Sequence, residues 1–298
     1  MLCKRFNNVI TELLYLSRLN KPIPILLLLL PIWWVLIIVY KFIVDFWFYF
    51  LILTLGGILS RTIGCIINDI IDRKYDSLVK RTSKRPLAKN SIKMEYAITY
   101  LLLLCVVGVL LTFLLPSKCR YIIYIAFLLM CIYPYMKRIT NYAQVVLGIT
   151  FNMGIPVAFG LSNYNNLIVQ CSVYVAAALW TIGYDTVYGL QDVDDDKKIG
   201  LGSIAVRFQK TTPEVIWSCY KISCILLGFV GLNLGCNILF FILLGCGLYI
   251  LYEQIIVIES HLEDKNIKAM YELLFNKNII FGIIVLIALY LGQISIAS

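Results

Sequence analysis

The chain has 298 residues, of which 61% are hydrophobic and only 14% charged, and its mean hydropathy is +0.86, whereas an average soluble chain carries about 25% charged residues. So few polar side chains cannot cover a soluble domain, the hydrophobicity excludes disorder, and 8 Pro and 18 Gly without a period exclude a collagen-like fibre. The net charge of +9 is explained by basic loops on one side of a membrane and requires no nucleic acid.

The class that remains is an all-α polytopic membrane protein. A span needs ~20 apolar residues, and about nine such runs follow in chain order. They fall at about Pro22–Tyr40, Phe46–Ile67, Tyr96–Leu115, Tyr121–Tyr135, Ala143–Leu161, Leu167–Leu190, Val215–Leu234, Ile238–Ile258 and Asn278–Ile296. Basic residues precede the first run, as in a secretory signal, but no small-residue cleavage site follows it, so a retained span is expected. Counting Lys and Arg between runs puts 21 on the side of the N-terminus and 3 on the other. That asymmetry predicts a cytoplasmic N-terminus and, with an odd number of helices, a C-terminus outside. The long loops, at about 68–95, 191–214 and 259–277, all fall on the basic side, so residues 1–298 are expected to form a single membrane domain.

The ten cysteines form no C-x-x-C pair, and most sit in apolar runs, which marks them as small membrane-helix residues. The single histidine, His261, is expected as a solvated loop residue and argues against a histidine-based metal site.

The acidic residues carry the functional signal. Eight of the 17 fall in two short windows, Asn68–Asp76 at the close of the second run and Tyr184–Asp196 at the close of the sixth. At 100° per residue, Asp69, Asp72 and Asp76 lie within about a 60° arc, and Asp185, Asp192 and Asp196 within about 40°. Asp194 points the other way and, with Asp195, reads as solvated. A carboxylate at membrane depth costs ~2.5–3.5 kcal/mol, so two inward-facing triplets need compensating positive charge. Hard divalent cations suit oxygen donors without thiolate or imidazole, and Mg2+ usually binds through one or two carboxylates plus substrate phosphates. Two carboxylate stripes across one cavity are therefore expected to hold two Mg2+ ions and a diphosphate. Arg73, Lys80, Arg81, Arg85, Lys137 and Arg138 are nearby candidates for the same anion. Arg61 and Lys221 fall inside spans, and each needs a cavity, a partner or an escape to the interface.

These motifs resemble the UbiA superfamily of intramembrane prenyltransferases. Asn68, Asp69, Asp72 and Asp76 meet its N-D-x-x-D-x-x-x-D motif in full, and Asp192 and Asp196 meet its D-x-x-x-D motif. Within the superfamily, several segments are similar to the 4-hydroxybenzoate polyprenyltransferases. They are Leu19-Asn20-Lys21-Pro22, Arg85-Pro86, Tyr133–Arg138 and Tyr184–Gly200, and together they run from about residue 15 to 210. Asn20 is a departure from a frequent Asp, outside the metal motifs.

The resemblance implies a nine-helix bundle around a central cavity with a lateral opening to lipid, and a metal set of Asn68, Asp69, Asp72, Asp76, Asp192 and Asp196. Asp69 is either a ligand or a partner of the ligands. The implied substrates are a polyprenyl diphosphate and 4-hydroxybenzoate. Arg73, Lys137 and Arg138 are then expected on the diphosphate, and Tyr184 and Tyr188 beside the allylic cation. Asp185 is expected to bind or deprotonate the phenol, and Arg18 to bind the acceptor carboxylate. The partners are the two substrates and membrane lipid, with no nucleic acid and no obligate protein. A sister enzyme for dihydroxynaphthoate, homogentisate or haem is the nearest alternative. A cation-coupled transporter is the other, although no inverted repeat is evident. No Arg- and Ser-rich amphipathic segment precedes the first run, so a bacterial inner membrane is expected.

Overall fold

The computed structural model describes residues 2–40, 44–261 and 268–294, and every regular element among them is helical. In chain order the helices are α1 (Leu2–Ser17), α2 (Pro22–Tyr40), α3 (Val44–Ile71), α4 (Arg73–Asp76), α5 (Met94–Thr112), α6 (Ser117–Ile139), α7 (Ala143–Phe151) and α8 (Gly154–Gly160). They continue with α9 (Leu167–Gly189), α10 (Val193–Ile199), α11 (Ile204–Phe208), α12 (Thr212–Asn233), α13 (Ile238–Ser260) and α14 (Lys268–Gly292). A 3-10 turn, Gln209–Thr211, joins α11 to α12.

Among the described residues nine stretches are long and apolar enough to cross a membrane, and they fall on the nine expected runs. The ends differ where charge stops a hydropathy run without stopping a helix. The fourth span extends over Ser117–Ile139 and takes in Lys118, Arg120, Lys137 and Arg138, whose long stems let the charged heads leave the apolar zone. The ninth begins by Ala269 and includes Lys277, which the sequence reading places in a loop. Residues 41–43, 262–267 and 295–298, with Lys41 and Lys265, lie outside the described residues.

Helix α1 is an addition that hydropathy does not signal. Its Val9, Leu13 and Leu16 recur at i, i+4 and i+7 and pack on Ile66, Leu87 and Ala97, while Leu14 and Tyr15 remain exposed. Glu12 accepts from Lys89 at 3.0 Å, and Ser17 lies 2.9 Å from the Tyr100 hydroxyl, so α1 is pinned across one end of the bundle.

The core runs through α2, α9, α12, α13 and α14. Trp34 stacks on Trp180 with ring centres 5.4 Å apart, and its Nε1 donates to the Gly282 carbonyl at 2.9 Å. Gly282 is required there, because a Cβ would stand 2.6 Å from Leu30 and 2.8 Å from Trp180. Asn278, wholly buried, accepts from Trp180 Nε1 at 3.0 Å and from the Tyr220 hydroxyl at 3.2 Å and donates to Gln254. The Asn278 amide thus ties α9, α12, α13 and α14 together where water cannot compete.

Lys221, inside α12, is exposed and lies over the Trp217 ring. His261 is exposed at the end of α13, against Ser260. Among the described residues no two cysteines form a disulfide. The ends of α3 and α9 that carry the aspartates lie at the same end of the bundle, and the turns of residues 77–93 bridge them through Arg81 and Arg85.

Candidate active site

Both aspartate segments cross a helix break, the first in unbroken i to i−4 register and the second through a tighter i to i−3 turn. Helix α3 stops at Ile71 and α4 restarts at Arg73, yet Asp72 N–H donates to the Asn68 carbonyl and Asp76 N–H to the Asp72 carbonyl, both at 2.8 Å. Helix α9 ends at Gly189, and a turn carries the chain to Asp192, whose carbonyl accepts from Asp196 N–H at 2.8 Å. Gly200, with φ +72°, ends α10 in the left-handed conformation that glycine adopts without cost.

A cavity of about 560 Å3 opens between these ends. Asn68, Asp185, Asp192 and Asp196 line it, with Arg18, Arg61, Arg81, Arg85 and Lys137 as cations and Tyr133, Tyr184 and Tyr188 as aromatics. Most of the remaining wall is apolar, including Leu28, Ile32, Ile63, Leu115, Met130 and Val157.

The carboxylates and arginines interlock. Asp69 is buried and joins Arg18 and Arg85, the second at 3.1 Å. Arg85 also holds Asp76 at 2.6 Å. Asp69 and Asp76, about 20° apart on the helical wheel, thus share one arginine. Asp72, further round, is held by Arg138 at 2.7 Å. The first motif therefore splits, with Asn68 on the cavity wall and its three aspartates off it, Asp69 and Asp76 paired with the wall arginines Arg18 and Arg85 and Asp72 with Arg138. Arg81 grips Asp192 with its Nε and a terminal nitrogen. Asp194 is exposed as expected, and half-buried Asp195 lies 4.0 Å from Lys198.

Burial pushes the Asp76 carboxyl up. Arg85 opposes the shift, and Asp69 and Asp72 add to it. Burial likewise pushes Asp196 up to about 6, against the attraction of Lys137 and with the repulsion of Asp192. Arg81 is raised, because Asp192 and Tyr188 outweigh the cost of burial.

Two expected anion partners are elsewhere. Arg73 turns to the loop, where it donates to the Leu87 carbonyl at 3.1 Å and to the Asn90 side chain. Arg138 braces Asp72 and the Ile71 carbonyl and lies over Tyr75 and Tyr135, so it positions the first motif and does not line the cavity. Lys137 does line it. Arg81 and Arg85, candidates by sequence proximity alone, reach the site, as does Arg18. Arg61 also lines the cavity, over Phe151. Its place inside an apolar run was the signal.

Among the described residues no three carboxylate, histidine or cysteine side chains form a ready cage for a metal. The donors on the wall nonetheless fit Mg2+: an amide oxygen and three carboxylates, all hard, where one or two carboxylates plus phosphate suffice.

Residues 28–280 match the UbiA prenyltransferase family. The 4-hydroxybenzoate octaprenyltransferase of Tolumonas auensis is 38% identical over 80% of this chain and 84% of its own length. That of Aeromonas salmonicida is 34% identical over 94% of each. A UbiA homologue from Aeropyrum pernix superposes with a TM-score of 0.72 at 20% identity, over 89% of this chain and 96% of its own. One from Archaeoglobus fulgidus, bound to GPP and Mg2+, superposes with 0.66 at 17% identity, over 92% and 99%. At that identity the likeness is one of fold.

Proposed function

The chain belongs to the UbiA prenyltransferase family, and from that premise we propose that it catalyses a Mg2+-dependent step of ubiquinone biosynthesis. A polyprenyl group passes from polyprenyl diphosphate to the ring carbon of 4-hydroxybenzoate ortho to its hydroxyl. The observation that carries this reading is the cavity itself, charged at one end and apolar along most of its wall, as an amphiphilic diphosphate requires. The names of the curated relatives support the acceptor.

Asn68, Asp192 and Asp196 are the wall residues that would hold Mg2+, joined by Asp76 once Arg85 turns to the diphosphate. When bound there, Mg2+ would supply positive charge against that developing on the diphosphate. Arg81, Arg85 and Lys137 bind the diphosphate oxygens, the arginines through two-pronged hydrogen bonds. The C–O bond to diphosphate breaks and leaves an allylic cation. Tyr184, held between Trp180 at 5.2 Å and Phe275 at 5.7 Å, offers a fixed aromatic ring beside it. The apolar wall excludes water that would capture the cation. Asp185, on the cavity wall, takes the phenol proton. The ortho carbon then forms the new C–C bond, its ring proton passes to the released diphosphate and restores the aromatic ring, and Asp185 returns its proton to the phenol oxygen.

Arg61 replaces Arg18 as the partner of the acceptor carboxylate. Arg18 is committed to Asp69, whereas Arg61 lies over Phe151 and forms no ion pair among the described residues. The basic, aspartate-bearing end of the bundle faces the cytoplasm, in the inner membrane of a bacterium.

Acceptor competition tests the assignment. Protein in nanodiscs is given 4-hydroxybenzoate, dihydroxynaphthoate and homogentisate together with one donor and Mg2+. Only 4-hydroxybenzoate is expected to be prenylated, and preference for another acceptor would move the chain to a sister activity.

A further inference from the structure

Among the described residues six buried side-chain atoms have no hydrogen-bond partner. Of these, only the Tyr184 hydroxyl belongs to a residue on the cavity wall. A buried donor without a partner costs free energy, and on a cavity wall a bound molecule can complete it. The hydroxyl is not free to turn elsewhere. Tyr184 is 3% exposed, and its ring stands edge-on to Trp180 and Phe275, at interplanar angles of 82° and 74°. Trp180 is itself fixed, stacked on Trp34 and bonded to Asn278. Behind them α9 closes on α12 at Gly183, where a Cβ would stand 2.3 Å from the Tyr220 ring. Thr181, one turn back on α9, already accepts from Asn152 Nδ2 at 2.8 Å.

The level of Tyr184 in the bundle gives the chemistry of that molecule. Helices α3 and α9 both run towards their aspartates, and helical side chains lean back towards the N-terminus, here away from the aspartates. Arg61 lies seven residues before Asn68, about 10 Å along the axis of α3. Tyr184 lies eight residues before Asp192. A short link joins the two levels: Arg61 lies over the Phe151 ring, and Asn152, the next residue, donates to Thr181 of α9. Arg61 and Tyr184 therefore line the cavity at one level, on the inner side of the aspartate end, one as a positive charge and the other as a neutral donor. A carboxylate accepts from both.

We infer that the Tyr184 hydroxyl donates to the carboxylate of the aromatic acceptor, beside Arg61, and so helps to select a ring that bears one. This rests on the acceptor reading above and gives the hydroxyl a task separate from that of the ring. Asp185, next in the chain and about 100° round the helix, is left for the phenol at the other end of the acceptor.

Tyr184→Phe keeps the ring and removes the hydroxyl. The test measures equilibrium binding of 4-hydroxybenzoate and of benzoate to wild type and variant in nanodiscs with Mg2+. Benzoate has the carboxylate and lacks the phenol. Both Kd values are expected to rise by a similar factor of about tenfold or more, the scale of one hydrogen bond to a charged group, while KM for the prenyl donor keeps its wild-type value. The ligand-free variant is expected to melt no lower than wild type, because it buries no unpaired hydroxyl. Weaker 4-hydroxybenzoate with unchanged benzoate would put the hydroxyl on the phenol and overturn the assignment. Unchanged affinity for both acids, a donor KM that rises by the same factor, or a lower melting temperature of the ligand-free variant also overturns it. Wild type that binds benzoate yet prenylates no 4-hydroxybenzoate overturns the functional reading and leaves the carboxylate subsite standing. Wild type that binds neither acid overturns both.

Discussion

Arg81 holds Asp192 in a two-sided grip. Its Nε donates to the two carboxylate oxygens at 3.0 and 3.2 Å and one terminal nitrogen donates at 2.6 Å, while the other donates to the Tyr188 hydroxyl at 2.9 Å. The guanidinium also lies over the Tyr188 ring. One arginine thus ties the loop of residues 77–93 to the second aspartate motif. Its pairing with a carboxylate in the structure and with diphosphate in the proposed reaction are alternatives for the same planar fork.

Arg81→Ala is therefore expected to cut kcat/KM for the diphosphate donor by roughly 10^2-fold, the scale on which one charge-stabilising donor acts. Arg81→Lys is expected to recover little, because an ammonium cannot reproduce the fork. Steady-state kinetics with the donor varied checks this. Wild-type behaviour in Arg81→Lys would show that only charge matters there.

Asp69 predicts a different phenotype. It is buried between Arg18 and Arg85 and is absent from the cavity wall. Asp69→Asn leaves both cations without their shared counter-charge. The expected loss is about 2 kcal/mol, less than for a wholly buried pair because both arginines keep some exposure. Thermal unfolding in detergent should show a Tm several degrees lower, with Mg2+ half-saturation little changed. A large shift in Mg2+ half-saturation would make Asp69 a ligand.

Asp196 gives a pH dependence with a definite sign. Its carboxyl is raised to about 6 in the metal-free protein, so its contribution to stability is full below the unfolded value of ~3.9 and is lost as pH rises through about 6. The proton and Mg2+ compete for the same oxygens. The Mg2+ concentration for half-maximal turnover is therefore expected to rise as pH falls from 7.5 to 5.5, and to rise much less in Asp196→Asn. An equal rise in both would locate the titration elsewhere.

Arg61 and Arg18 separate by kinetics. Arg61→Gln is expected to raise KM for 4-hydroxybenzoate about tenfold or more with little change in KM for the donor. Arg18→Gln acts through Asp69 and lowers stability. An effect of Arg61→Gln on donor KM alone would return the acceptor carboxylate to another cation.

The spans were legible because ~20 apolar residues in a row have few other uses. The aspartate windows were legible because spacings of three, four and seven survive small helix breaks: the 2.8 Å bonds through Asp72 keep the i to i−4 register across the first break, and across the second the turn tightens only to i−3, Asp192 N–H to Gly189 at 3.0 Å. What could not be read is where an arginine outside a helix goes. Arg73 and Arg81 lie eight residues apart in one basic run, yet turns at Ser77–Ser91 send one to Asn90 and the other across the cavity mouth to Asp192. No period encodes such turns. Helix α1 was missed because its apolar face is only one stripe wide, and its packing depends on Leu87 and Ile92, residues distant in sequence.

The central claim is that the paired aspartate segments serve metal-dependent transfer of a polyprenyl group to 4-hydroxybenzoate. Membranes carrying the folded protein should be given both substrates with Mg2+ and then with EDTA, alongside Asp192→Ala. The account predicts prenylated 4-hydroxybenzoate with Mg2+, none with EDTA, and little from Asp192→Ala. Product that persists in EDTA, or near-normal turnover by Asp192→Ala at saturating Mg2+, would contradict it.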